Sequence, residues 1–524
     1  MIFRLFSLSL FILWHFISFG SEVEAVDSLK PSTLTVRLKS DPQNLNPLLN
    51  VDDYADPLFD KVFDTLLFFN PLTGKPEGRL AESWKISKDG LQYDFFLRPA
   101  IFHDGVKLTA IDVKFTFDSL LNPKIDSGHL RSNYEELKSI EVISPNQIRF
   151  KMKTPYFRSL ILIGRQCIVP KHIYNQANFN SQSANRQPVG SGPYVFKTWD
   201  AGQKILVSKF KDFWGNKIAP WKGRYQFDQI LYRIITDDAV AAIALKKGDI
   251  DFLDPSPLRF VQDFSDEKSD KEFFKLKYET EDGNGYNYIG WNLRRPLFQS
   301  KDFRQALAYA MPREEIKEKI YLGLRELAVG PFPRANPKTD LKVEPILFDL
   351  EKAKQLLSKA NVSDKTISFE LLIPSGSSEA ERMALIYQSI LKKLNIDMSV
   401  RSLEWTAFMT QVRLKKFDAF MMSWGALQDL DPYRYWHSSQ TEDGNNFIGY
   451  KNARVDFLLL EARQTLDAKK RMSYYREISR ILADEAPYLF LFEKPSLLLV
   501  SKKIQGVLPI GKLGPFEAAW SKAK

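Results

Sequence analysis

Phe417-Asp418-Ala419-Phe420-Met421-Met422-Ser423-Trp424 is a short apolar run that reads as a buried strand. It passes into Gly425-Ala426-Leu427-Gln428-Asp429-Leu430-Asp431-Pro432, then into Tyr433, Tyr435, Trp436 and His437. A polar connection, Ser438 to Asn446, leads on to Phe447-Ile448-Gly449-Tyr450. A loop so dense in aromatic and acidic side chains is costly unless another part of the protein covers it. In open α/β sheets ligands bind just beyond the carboxyl ends of strands, where this loop would lie. An ordinary aromatic packing loop is the competing account.

The chain has 524 residues, and a prior of roughly 150 per domain gives about three domains. With 44% hydrophobic and 13% aromatic residues, most of it is expected to be globular. At the N-terminus, Arg4 precedes an apolar run from Leu5 to Phe19, and Val23-Glu24-Ala25 resembles a small-x-small cleavage site. Residues 1–25 therefore read as a secretory signal peptide, the run being short for a membrane span. A membrane anchor is the alternative. No cysteine stands near the cleavage site, so a lipoprotein anchor is not expected, and the mature chain is expected in the periplasm.

Cys167 is the single cysteine and cannot form an internal disulfide. The five histidines (His15, His103, His129, His172, His437) are scattered, with no pair at metal-ligand spacing. No phosphate-cradling glycine loop or nucleophile elbow is present. No metal, cofactor or catalytic residue is expected, and the chain reads as a non-enzyme. The formal charge is +10, but the basic residues are interleaved with 64 acids and form no tract. Nucleic acid is therefore not expected as a partner, whereas anionic lipid remains open.

Along the chain, Thr33 to Leu38 alternates like a strand, and Leu58 to Phe69 carries apolar residues at helical spacing. Leu91 to Arg98 reads as a strand, and Thr109-Ala110-Ile111-Asp112 as a capping box opening a helix. His103 beside Asp104 looks like a catalytic pair, but His-Asp-Gly in a tight turn is a structural pattern. From Asp349 onward helix and strand alternate: helices at 350–359, 379–394 and 405–415, strands at 366–373 and 397–402. That order argues for an α/β lobe. Two amphipathic helices over 452–484 and a buried strand over 488–492 follow, and the tail from Lys494 crosses back.

Ala81-Glu82-Ser83-Trp84, Phe102-His103-Asp104-Gly105 and Leu108-Thr109-Ala110-Ile111-Asp112-Val113 resemble the signature of the bacterial family-5 extracellular solute-binding proteins. The resemblance runs on, in order, through Gly190-Ser191-Gly192-Pro193-Tyr194, Gly248-Asp249-Ile250-Asp251, Trp291-Asn292 and Arg304 to Ala310. It implies an α/β, two-lobed periplasmic-binding-protein type II fold with an extra inserted domain in the first lobe. By that resemblance the first lobe is assembled from residues 26–61, 187–281 and 495–524. The inserted domain covers 62–186 and the other lobe 282–494.

The implied function is a monomeric receptor that closes on a peptide or other small solute and delivers it to an ABC permease in the inner membrane. Relatives of the peptide receptors take metal chelates, haem, sugars or opines, and from another class a secreted hydrolase remains the alternative. By position, the resemblance places Trp424, Trp405, Asn446 and Tyr288 at the cleft. Peptide binders of the family carry an Asp three residues after the Trp equivalent to Trp424, where it pairs with the ligand ammonium. This chain has Leu427 there, so Asp429 is the candidate to take that role, and Asp431 the candidate turn residue. The position that supplies an Arg in some oligopeptide binders falls at Met421.

Overall fold

The computed structural model describes residues 32–505 and 520–521, except 51–53, 71–74, 176–178, 182, 279–284, 335, 337–338, 341, 361–366, 426–430, 443 and 495. The expected signal peptide and Asp429 lie outside the described residues. The architecture is mixed α/β and rests on three principal sheets.

The first has seven strands, in the order Tyr194–Asp200, Lys204–Lys209, Gln229–Ile234, Thr33–Leu38, Phe252–Leu253, Ser496–Ser501, Phe273–Tyr278. Thr33–Leu38 pairs in parallel with both of its neighbours, and the remaining pairs are antiparallel. Helix Asp238–Lys247 crosses between two of its strands. The Asp237 carboxylate caps it by accepting from the backbone N–H groups of Ala239 and Val240 at 2.8 Å each, and Gly248 ends it at φ +78°.

The second sheet has five strands, in the order Ile396–Leu403, Ile367–Pro374, Ala419–Gly425, Gly285–Trp291, Tyr488–Glu493. The run singled out in the sequence is its central strand. Ala419 and Met421 face one apolar core, and Phe420 and Met422 face another, so both sides of the strand are covered. Burial on both faces is why the sequence reads there as continuous rather than alternating. The strand begins two residues later than the apolar run because Asp418 interrupts it. That carboxylate accepts from Glu370 N at 3.0 Å and pairs with Arg295.

The third sheet is antiparallel: Ala81–Ile86, Gln92–Leu97, Gln147–Met152, Leu137–Ser144. Helix Ala110–Leu121 packs Phe117 against Phe150 at 4.9 Å, and its N-terminus carries the expected Thr109–Asp112 capping box. The helical reading of Leu58 to Phe69 is corrected. The helix is Asp56–Val62, followed by short strands Asp64–Thr65 and Leu67–Phe69. Asp64 explains the break. It is fully buried, pairs with Arg79, and accepts from Trp214 Nε1 at 2.6 Å, and those partners need extended backbone here.

The chain passes between the first two sheets twice, once before Gly285–Trp291 and once between Glu493 and Ser496. The strand ends that flank them lie side by side: Tyr278 is opposite Ser496, and Lys494 N donates to Gly285 O at 3.0 Å. Gly285 has φ +90°, and an added Cβ would collide with the Trp424 carbonyl oxygen. Gly285→Ala is expected to cost on the order of 2 kcal/mol or more, read as a lower midpoint in denaturant unfolding. Burial, and then the nearby positive charge of Arg325, push the Lys494 ammonium down to about 8. A lysine whose folded pKa is depressed burdens the fold in full below about 8, and the burden fades as pH rises towards the ordinary 10.5. Lys494→Met is therefore expected to stabilise the protein near neutrality by on the order of 2 kcal/mol, with the gain shrinking above about pH 8 in a Tm-against-pH series.

Candidate functional site

The three parallel strands of the second sheet, Ile367–Pro374, Ile396–Leu403 and Ala419–Gly425, all end on one edge. Trp424 stands at the end of the central strand, and Trp405 opens helix Trp405–Arg413 just after Leu403. The two tryptophans thus share the carboxyl edge, two strand spacings or about 10 Å apart along the sheet.

Tyr288 and Trp424 are brought together. Cross-strand register sets Tyr286 opposite Trp424 and Tyr288 opposite Met422, so these side chains share a face. The Tyr288 ring stacks on Trp424 at 5.8 Å and on Tyr488 at 4.0 Å. Tyr435 and Phe447 close around Trp424 at 4.5 and 6.0 Å. Three polar atoms sit within this aromatic floor: Tyr288 Oη, Tyr488 Oη and Trp424 Nε1. Each is buried, and Tyr488 Oη interacts with both Tyr288 and Trp424, so the three polar tips are turned on one another. Burial pushes the Tyr286, Tyr288 and Tyr488 phenols up, so they stay neutral donors. Tyr288 and Tyr488, at 0 and 1% exposure, support Trp424 from beneath, and Trp424 is the one of the three left partly exposed.

At this end of the strands the opposite face is polar. Asn287 Nδ2 donates to Ser423 Oγ at 2.7 Å, and Arg325 donates to Asn287 Oδ1 while lying 3.5 Å from Glu379.

Trp405 does not join the floor; it stacks on Phe408 at 5.7 Å and is 54% exposed. Asn446 is corrected from cleft contact to loop closure. It is fully buried, Nδ2 donates to His437 O and Tyr450 O at 3.1 and 2.9 Å, and Oδ1 accepts from Tyr450 N. Its side chain holds Phe447 in place instead of reaching a ligand. Tyr488 and Tyr435 were not singled out from sequence. Tyr488 carried a signal, since in Tyr488-Leu489-Phe490-Leu491-Phe492 the two-residue period puts it on one face with Phe490.

The suggestive pairs elsewhere are structural. Asp104 pairs with His172 at 2.7 Å, whereas His103 sits between glycines, Gly190 N donating to Nδ1 and Nε2 lying 3.0 Å from Gly192 O. Burial pushes His103 down to about 4. Burial also pushes the Cys167 thiol up, which makes it a poor nucleophile. Among the described residues no cluster of His, Cys, Asp or Glu is arranged to hold a metal, and no helix is long and apolar enough to cross a membrane.

The profile of the bacterial extracellular solute-binding proteins, family 5 (Middle), matches residues 75–447. The oligopeptide-binding protein AppA of Bacillus subtilis is 32% identical over 499 residues, covering 90% of this chain and 88% of the relative. The probable D,D-dipeptide-binding periplasmic protein DdpA of Escherichia coli is 28% identical, covering 90% of each. Among solved structures, AppA of Bacillus subtilis in complex with a nonapeptide superposes with a TM-score of 0.78 at 29% identity, covering 94% of this chain and all of that one. NikZ of Campylobacter jejuni in complex with Ni(L-His) gives 0.78 at 27% identity, over 94% and 100% of the two chains. Matched by profile over most of its length and by a relative above 30% identity, the chain belongs to the bacterial extracellular solute-binding proteins of family 5.

Proposed function

We propose that this protein is a periplasmic receptor that captures peptides between two lobes and hands them to an ABC permease. The observation that carries the reading is the aromatic floor of Tyr288, Trp424 and Tyr488, set at the carboxyl edge of one sheet beside the double crossing to another. In this reading residues 26–61, 187–281 and 495–524 make the first lobe, 62–186 the inserted domain and 282–494 the second lobe. Residues 1–25 direct export, and the mature protein acts as a monomer.

Two crossings permit rotation of one lobe against the other. A ligand shifts that equilibrium only by the extra contact it makes in the closed form. An extended peptide supplies such contact by pairing its main chain as an added strand does, while its side chains rest on aromatic surface. Trp424 and Tyr288 form the floor, and Trp405, exposed on the same edge, is placed at the rim.

Trp424→Ala is expected to weaken binding of a tight peptide from a tryptic casein digest by about 30-fold or more, measured by calorimetry. Asp429 is assigned the ligand ammonium. Asp429→Asn should then cost about tenfold or more for peptides with a free amine and little for their N-acetylated forms. A non-peptide cargo is the second reading, favoured by Leu427 where the peptide receptors carry an acid. Native mass spectrometry of the protein as purified decides between them. A peptide ladder supports the first reading, and a single non-peptide mass overturns it.

A further inference from the structure

Asp431 stands where the sequence suggested a turn residue, and its Oδ1 does accept from Tyr433 N at 3.1 Å, as in a turn. Its other oxygen is committed elsewhere. Oδ2 accepts from Tyr156 Oη at 2.8 Å and pairs with Arg463 Nε at 2.9 Å. Only 6% of Asp431 is exposed, so this charge has left water almost completely and depends on those two partners.

The partners come from distant parts of the chain. Tyr156 follows strand Gln147–Met152 of the antiparallel sheet, whereas Asp431 and Arg463 flank the five-stranded one. Around the triad the same two parts meet repeatedly. Phe157 N donates to Arg463 O at 3.0 Å, and Arg471 lies over the Phe157 ring at 4.2 Å. The Arg463 guanidinium lies over the Tyr156 and Tyr433 rings at 4.7 and 4.3 Å. Leu466 fills the space beside Gly90, in the turn before strand Gln92–Leu97. Burial first, and the Asp431 charge second, push the Tyr156 phenol up, so it stays a donor.

The contact is also joined to the aromatic floor. Asp431 and Pro432 lead into the short helix Tyr433–Trp436, whose Tyr435 packs on Trp424. A group fixed at Asp431 therefore fixes the residues beside the candidate ligand surface.

We propose that Asp431 is a positioning residue, a latch that forms with Tyr156 and Arg463 when the lobes meet and that sets how long captured ligand is held. The proposal rests on the receptor reading above. Separation of the lobes takes Tyr156 away and hydrates the Asp431–Arg463 pair, so the Tyr156 bond contributes to the closed form alone. Ligand affinity scales with the closed fraction, so the latch tunes affinity without touching ligand.

The test uses the full chain spin-labelled at two exposed lysines, Lys138→Cys and Lys470→Cys, in a Cys167→Ser background. Inter-label distances are measured with and without a tryptic casein digest. Release of a fluorescent peptide from that digest is timed in parallel. Asp431→Asn is expected to deplete the short-distance population and speed release about tenfold, and Tyr156→Phe to speed it about three- to tenfold. The double variant should release no faster than about the worse single one, because both break one device. The Tm of Tyr156→Phe should fall less without ligand than with it, an outcome that a purely structural hydrogen bond would not give.

Wild-type distances and release rates in both variants overturn the latch, as does a ligand-free Tm that falls as far as the ligand-bound one. A wild-type protein that ignores the digest overturns the peptide reading instead. The latch is then decided on ligand-free protein, where it requires a short-distance population that Asp431→Asn removes; identical distributions overturn it.

Discussion

Everything in this molecule that concerns ligand turns on Gly285. The residue adopts φ +90°, receives the hydrogen bond from Lys494 N that ties the two flanking strand ends together, and sits against the carbonyl of Trp424. No other residue type meets all three demands, because a Cβ would both strain the backbone and strike that carbonyl. The joint between sheets and the aromatic floor are therefore one construction. Gly285 touches the Trp424 backbone directly, with no side chain between them.

The floor itself departs from how a core is usually finished. Tyr288 and Tyr488 are as buried as any leucine in the sheet, yet their hydroxyls and the Trp424 indole N–H place polar atoms there. The three polar tips have one another as neighbours, with Tyr488 set between Tyr288 and Trp424, and a buried polar group of this kind specifies one packing where an all-Phe core would not. The polar face across the same strands, with Arg325, Asn287, Ser423 and Glu379, gives the edge a second chemistry one residue away.

Much of this was legible in the sequence because it is local. The Thr109 capping box and the helix Leu350–Lys359 are written in neighbouring residues and fold as they read. The central strand was legible because two-sided burial leaves a continuous apolar run. What escaped reading is held by distant partners. Helical spacing over Leu58 to Phe69 says nothing of Arg79 and Trp214, which claim Asp64 and extend the backbone there. Asn446 looked like a ligand contact because an exposed Asn and a loop-closing Asn are the same letter. Asp431 looked like a turn and is one, but Tyr156 lies 275 residues away and leaves no mark beside it.

The seven-stranded sheet has a consequence for how the chain is made. Strand Ser496–Ser501 lies between Phe252–Leu253 and Phe273–Tyr278, and among the described residues it is the only neighbour of Phe273–Tyr278 in that sheet. During synthesis the ribosome must deliver the chain through Ser501 before that gap is filled. Until then Phe273–Tyr278 waits for a partner that lies more than two hundred residues further along the chain.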